Sequence, residues 1–217
     1  MSLAAALASV VSPDRLLHWL CAFAAPAGTD RAGAQAPEDD DHACLRRVAA
    51  GDPDALQPLF DRWKLPLLSF FYRALGSRPD AEDLALQTFD RVYRAAARYR
   101  PDAKFSAWLF TIARHELRHE LRRRRRKPVE AVAPEDLALL AVDASPAERR
   151  RAAELEEQLL AALQELPERQ RSALLLTAAG DLSHAEIAGT LGVSESNLHV
   201  ILHRARHALR SLFPLRP

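Results

Sequence analysis

Residues 182–210 read LSHAEIAGTLGVSESNLHVILHRARHALR, and this stretch decides the fold. Ser183 and Glu186 make an S-x-x-E capping box, which predicts a helix starting at Ser183. Gly192 falls where the chain must turn, and a left-handed backbone there favours a residue without a Cβ. Ser194 is a suitable cap for a second helix. Ala188 is small enough to let two crossing helices touch, and Leu198, Ile201 and Leu202 give the second helix an apolar stripe at helical spacing. The opposite face presents Glu195, Ser196, His199, Val200, His203, Arg204 and Arg206. An ordinary helical hairpin does not require caps, turn and stripe to agree in this way. The pattern predicts a helix-turn-helix whose second helix fits a DNA major groove.

Outside this stretch the composition points the same way. Hydrophobic residues make up 48% of 217, enough for one or two small cores, while aromatics make up only 6% and no β-branched run alternates as a strand would. Ala, Leu, Arg and Glu dominate, so the predicted class is all-α. The net charge of +1 is uninformative, because one basic block is offset by acidic stretches elsewhere. Two cysteines, Cys21 and Cys44, do not make a disulfide framework and suit a reducing compartment. The apolar run at residues 3–11 lacks a positive leader and is too short to span a bilayer. The expectation is a cytoplasmic protein without membrane insertion.

The chain divides by composition into four parts. Residues 1–37 form an N-terminal extension, expected to be partly disordered, with one short helix over 14–25 and a Gly/Ala/Pro stretch after it. Residues 38–127 form a first helical domain. In it, Asp52-Pro53 starts one helix, residues 79–99 form another with Leu84, Phe89, Val92, Tyr93 and Ala96 on its apolar face, and a third runs from about Lys104 into an arginine block. Residues 128–147 hold Pro128, Pro134 and Pro146 with Glu130, Glu135, Asp136 and Asp143, and read as a flexible acidic linker. Residues 148–217 form the second domain, entered through the capping box Ser145-Pro146-Ala147-Glu148.

The arginine block, residues 114–127, carries Arg114, Arg118, Arg122, Arg123, Arg124, Arg125, Arg126 and Lys127 against Glu116 and Glu120. So many guanidinium groups repel one another unless phosphates neutralise them. Tyr99, Phe105, Trp108 and Phe110 lie just upstream, and a basic track beside aromatic faces suits single-stranded or melted DNA. Residues 115–119, HELRH, also match the zinc-protease motif H-E-x-x-H, but the surrounding arginines oppose a dication and no third ligand is evident. His199, His203 and His207 form a stripe at i, i+4, i+8, for which DNA contact is the favoured reading and metal binding the lesser one. His18, Cys21, His42 and Cys44 match no specific zinc spacing. No metal or other cofactor is expected.

Two helical domains joined by an acidic linker, the second a helix-turn-helix, resemble the bacterial RNA polymerase sigma factors, and specifically the extracytoplasmic-function (ECF) subfamily. The resemblance covers residues 41–213. It rests on AGDPDAL (50–56), DAEDLALQTFDRVYRAAARY (80–99), FSAWLFTIARHELRHELRR (105–123), LPERQRSALLL (166–176) and the stretch quoted first, in this order and spacing. It implies a protein that is not itself an enzyme, that binds core RNA polymerase and that directs promoter recognition and melting. The implied polymerase-binding residues are Glu82, Asp83, Leu84, Leu86, Gln87, Thr88 and Phe89. The implied −10 DNA-binding set is Tyr99, Phe105, Ser106, Trp108, His115, Arg118, His119, Arg122 and Arg123. The implied −35 set is Ser194, Ser196, Asn197, His199, Val200, His203, Arg204 and Arg206. Expected partners are core RNA polymerase, promoter DNA and an anti-sigma factor.

This chain departs from the family pattern at several of these positions. It has Leu86 and Gln87 where Gln and Glu are usual, and His115 and His119 where Asn and Asp are usual. It has Asn197, His199 and Ile201 where Thr, Lys and Arg are usual. Two rival readings follow from the residues: a helix-turn-helix regulator that does not dock on polymerase, and, remotely, a zinc hydrolase built on H-E-x-x-H.

Overall fold

A computed structural model describes residues 38–126, 146–179 and 181–212. The leader helix expected over 14–25 and the linker residues 128–145 lie outside the described residues. Among those described the chain is all-α. Its helices are α1 (Glu38–Ala49), α2 (Leu56–Leu75), α3 (Arg78–Ala95), α4 (Phe105–Arg126), α5 (Pro146–Glu165), α6 (Glu168–Ala179), α7 (His184–Leu191) and α8 (Glu195–Leu212). Asp52-Pro53 opens a short 3-10 turn, Pro53–Ala55, that leads into α2. Another such turn, Ala96–Arg98, ends the run expected as one helix to Tyr99. No described helix is long and apolar enough to cross a membrane.

Helix α2 is the hub. Leu59, Trp63, Leu67, Phe70, Phe71 and Ala74 recur at helical spacing and are buried. They meet α3 and α4 on one side and α5 and α6 on the other. Phe110 of α4 packs edge-on against Trp63 and Phe70, and Phe60 tilts onto Phe89 of α3. Helix α1 is fastened by buried Asp41, whose carboxylate accepts hydrogen bonds from Trp63 Nε1 at 3.0 Å and from Arg62. Tyr93 departs from the expected apolar face of α3: it is 46% exposed, because Val92 and Ala96 already fill the inward positions.

In the C-terminal unit, Leu198, Leu202, Ala205 and Leu209 of α8 are buried against α6 and α7. The two units share one apolar core rather than standing apart, a packing that sequence reading did not anticipate. Helix α6 explains why: Ser172, Ala173, Leu174, Leu175 and Leu176 are all buried, as a helix apolar all round must be when it is covered on two sides.

Charged side chains hold the units together by capping helix ends. Buried Arg171 of α6 donates to the Ala74 carbonyl near the end of α2, and also to Gln164 Oε1 and the Gln164 and Leu166 carbonyls at 2.9–3.1 Å. Gln164 Nε2 donates to the same Ala74 carbonyl at 2.9 Å. In the other direction Arg114 of α4 donates to the Thr190 carbonyl at the end of α7, at 3.1 Å. The last carbonyls of a helix have no partner within it, and a cation there also complements the helix dipole. Each unit therefore supplies an arginine that caps a helix of the other.

Glu156 of α5 is buried at the contact with α2, and its Oε1 has no hydrogen-bond partner. Burial pushes its carboxyl up to about 7, against the opposing pull of Arg73. A raised carboxyl means that the folded chain holds a proton the unfolded chain has released. Stability is thus highest below the unfolded value, falls as pH rises from about 4.5 to about 7, and is lowest above that, by about 3 kcal/mol. Urea unfolding at pH about 5 and about 8 should show this loss, and Glu156→Gln should abolish most of it.

Candidate nucleic-acid interface

The helix-turn-helix forms as the local sequence dictates. Ser183 Oγ accepts the Glu186 N–H at 3.3 Å while Glu186 Oε2 accepts the Ser183 N–H at 2.7 Å, completing the capping box. Gly192 turns the chain at φ 65°, ψ 43°, and its N–H closes back on α7. Ser194 Oγ then accepts the Asn197 N–H at 3.3 Å and starts α8. With Leu198 and Leu202 inward, Ser194, Ser196, Asn197, His199, Val200, His203 and Arg204 are all exposed on one surface. Val200 is 46% exposed, which an aliphatic side chain pointing away from the core must be. Arg206 departs from the expected set. It is half-buried, its Nε has no partner, and burial pulls its guanidinium below the ordinary range.

Helix α4 divides the arginine block by burial. Arg114 is a strut between units, pairing with Glu168 at 3.4 Å besides its bond to Thr190, so it is not a phosphate ligand in this conformation. Arg124 is tied to Glu120, Asp80 and the Leu75 carbonyl. Arg123 pairs with Glu120 at 2.6 Å yet keeps half its side chain in solvent. Arg118, Arg122, Arg125 and Arg126 are exposed, together with His115 and His119. Buried Glu120, held by Arg123 and Arg124, has its carboxyl below the usual range.

Glu116 faces the other way. It is buried and pairs with Arg91 of α3 at 2.5 Å, so it is not poised beside His115 and His119 as the base of an H-E-x-x-H site. Of the other suggested ligand set, His42 Nδ1 lies 2.7 Å from the Tyr99 hydroxyl and Cys44 is buried, while His18 and Cys21 lie outside the described residues.

The aromatics form a graded cluster. Tyr99 and Trp108 are half-buried with ring centroids 4.7 Å apart. Phe105 is 1% exposed and Ser106 is buried, so these two of the expected DNA-binding residues lie beneath the surface rather than on it. Burial pushes the Tyr99 phenol up to about 12, which keeps it a neutral hydrogen-bonding group.

On α3, Leu84, Thr88 and Phe89 are buried, Thr88 donating to the Leu84 carbonyl at 2.7 Å. Glu82 is half-buried, while Asp83, Leu86 and Gln87 are exposed. Leu86, 58% exposed, lies seven residues before exposed Tyr93, so one outer face carries two large apolar groups among acidic neighbours. Of the expected polymerase-binding residues, half the face therefore shapes the helix and half is presented. Sequence reading missed Arg171, Gln164 and Glu156; the unbroken apolar run of α6 was the available signal that it is covered on two sides.

Comparison with known proteins accounts for this arrangement. Residues 59–127 match sigma-70 region 2, and residues 156–209 match sigma-70 region 4. The ECF RNA polymerase sigma factor SigE of Mycolicibacterium smegmatis is 39% identical over 140 residues, covering 64% of this chain and 54% of that protein. The RNA polymerase sigma factor CarQ of Myxococcus xanthus is 33% identical over 168 residues, covering 77% of this chain and 94% of that protein. The fold is shared with the sigma factor RpoE of Bartonella quintana, solved with its anti-sigma factor NepR, at TM-score 0.57 and 23% identity, over 74% of this chain and 99% of that one. The chain belongs to the ECF family of RNA polymerase sigma factors, and its function is to direct transcription initiation.

Gly192 tests the turn that orients α8. A Cβ there meets nothing within 4 Å, so only the left-handed backbone resists substitution. Gly192→Ala should cost about 1–2 kcal/mol in thermal or urea unfolding, and Gly192→Asn clearly less.

Proposed function

We propose that this chain binds core RNA polymerase through the outer face of α3, reads −35 duplex with α8, and holds melted −10 DNA along α4. The domains are 38–127 for polymerase and −10 DNA and 148–217 for −35 DNA, with 128–147 as the linker. The observation that carries this reading is the capped helix-turn-helix with Ser194 and six side chains of α8, five of them polar, turned to solvent on one surface. A protruding helix of this kind enters a major groove, with its N-terminal residues on base edges. Asn197, His199 and Arg204 are the hydrogen-bonding groups for bases and phosphates.

On α4, exposed Arg118, Arg122, Arg125 and Arg126 track the phosphates, and half-buried Tyr99 and Trp108 offer ring surface to an unstacked base. Phe105 and Ser106 act from beneath by fixing those rings. On α3, exposed Leu86 and Tyr93 supply apolar contact for polymerase, with Asp83 and Gln87 beside them. We read this apolar face as favouring polymerase docking over the regulator alternative.

We infer an anti-sigma protein as a further partner, by likeness to the relative solved with one, and a cytoplasmic site of action. The chain performs no covalent chemistry; polymerase does.

Run-off transcription of fragmented genomic DNA by core polymerase, with and without the chain, tests the whole reading. Transcripts sharing an upstream motif are expected. DNA binding without new transcripts, on a core proven active with another sigma factor, would favour the regulator. Replacing Arg122, Arg125 and Arg126 by Ala should weaken single-stranded DNA binding. Its log–log salt slope should become shallower by about 0.7 for each phosphate that is no longer neutralised.

A further inference from the structure

We propose that His184, Glu195 and His199 form a binding site for a borderline divalent transition metal of the zinc class, joining the two helices of the helix-turn-helix. One ligand atom from each residue lies within 4.8 Å of the others. The two imidazoles meet edge to face, with centroids 5.0 Å apart and planes at 80°. Glu195 and His199 are one helical turn apart on α8 and share a face, while His184 reaches across from α7. Among the described residues, neither same-helix histidine pair, His199–His203 or His203–His207, belongs to such a three-ligand group.

The backbone of the site is set before any metal arrives. His184 directly follows Ser183, whose N–H and hydroxyl are held by Glu186 at 2.7 and 2.8 Å. Glu195 directly follows the Ser194 cap of α8. Ligand atoms around a tetrahedral metal at about 2.0–2.1 Å lie roughly 3.3 Å apart. Closing the site therefore takes about an ångström of movement by His184, half-buried, and by exposed Glu195 and His199, without backbone change.

The donor set chooses the metal. Two imidazoles and a carboxylate suit zinc, cobalt, nickel or copper, whereas calcium and magnesium require oxygen ligands throughout. Three protein ligands leave a further position for water on the solvent side. The Glu195 carboxylate offsets part of the dication charge near two positive helix N-termini. The site stands on this geometry and does not depend on promoter reading. His199 is also a residue placed on the DNA-facing surface, so metal and base draw on one imidazole.

Cobalt(II) added to the chelator-stripped full-length chain is the test, because a low-coordinate site with nitrogen ligands gives an intense visible absorption band. One cobalt per chain is expected, displaced by zinc, with zinc raising the melting temperature. His184→Ala and His199→Ala should each lower cobalt affinity by at least about tenfold, and Glu195→Gln should weaken it comparably. His203→Ala, which removes the alternative pairing on α8, should leave the band in place. Circular dichroism checks that the variants fold; all three ligand positions are at or near the surface. No band at excess cobalt, a band that survives His184→Ala, or a band abolished in His203→Ala would each overturn the proposal.

Discussion

The structure depends on how helix ends are satisfied. A helix terminating inside a protein leaves carbonyls with no partner, and leaving one bare costs about 1–3 kcal/mol. Here the end of α2 is buried beneath α5 and α6, and Arg171 and Gln164 of those elements answer it. The end of α7 is answered by Arg114 from α4. Neither unit could present these ends to the other without the arginines, and the arginines could not be buried without the carbonyls. Burial draws both guanidinium groups below their ordinary range, and Glu168 acts against this at each. Interactions of this kind specify one relative placement of the two units, which a purely apolar contact would fix less sharply.

The same pressure divides the arginine-rich helix. One face of α4 is turned inward, so Arg114 and Arg124 find partners in neighbouring elements while Glu116 and Glu120 are buried against arginines. The other face keeps Arg118, Arg122, Arg125 and Arg126 in water. A string of basic residues in the sequence is thus two sets with different work. The inward set secures the fold, and the outward set makes the positive surface on which nucleic acid can act. Helix α3 is divided likewise: Leu84, Thr88 and Phe89 build the core, and Leu86 with Tyr93 forms an apolar outer face exposed among the described residues.

The helix-turn-helix was legible because everything that builds it is local. Ser183 and Glu186 are three residues apart, Gly192 sits at the turn, and the Leu198 and Leu202 stripe repeats within one helix. Arg206 was misplaced because its half-burial depends on neighbours that periodicity does not name. Phe105 and Tyr93 exchanged expectations for a similar reason. Phe105 has Trp63 and Tyr99 over it, whereas the inward positions near Tyr93 are taken by Val92 and Ala96.

By itself the sequence determined the helix-turn-helix, its caps, the turn at Gly192 and the family, and it marked the stretches where we propose DNA and polymerase contacts. These follow from interactions spanning a few residues, which any copy of the local pattern would make. The tertiary structure alone decided that the two units pack on one core, which arginines face inward, that Glu156 is buried without a hydrogen-bond partner at Oε1, and that His184 meets His199. Each of those facts needs groups far apart along the chain, such as Arg114 with Thr190 or Arg171 with Ala74. Periodicity records which face of a helix is buried; only the assembled core determines what it is buried against.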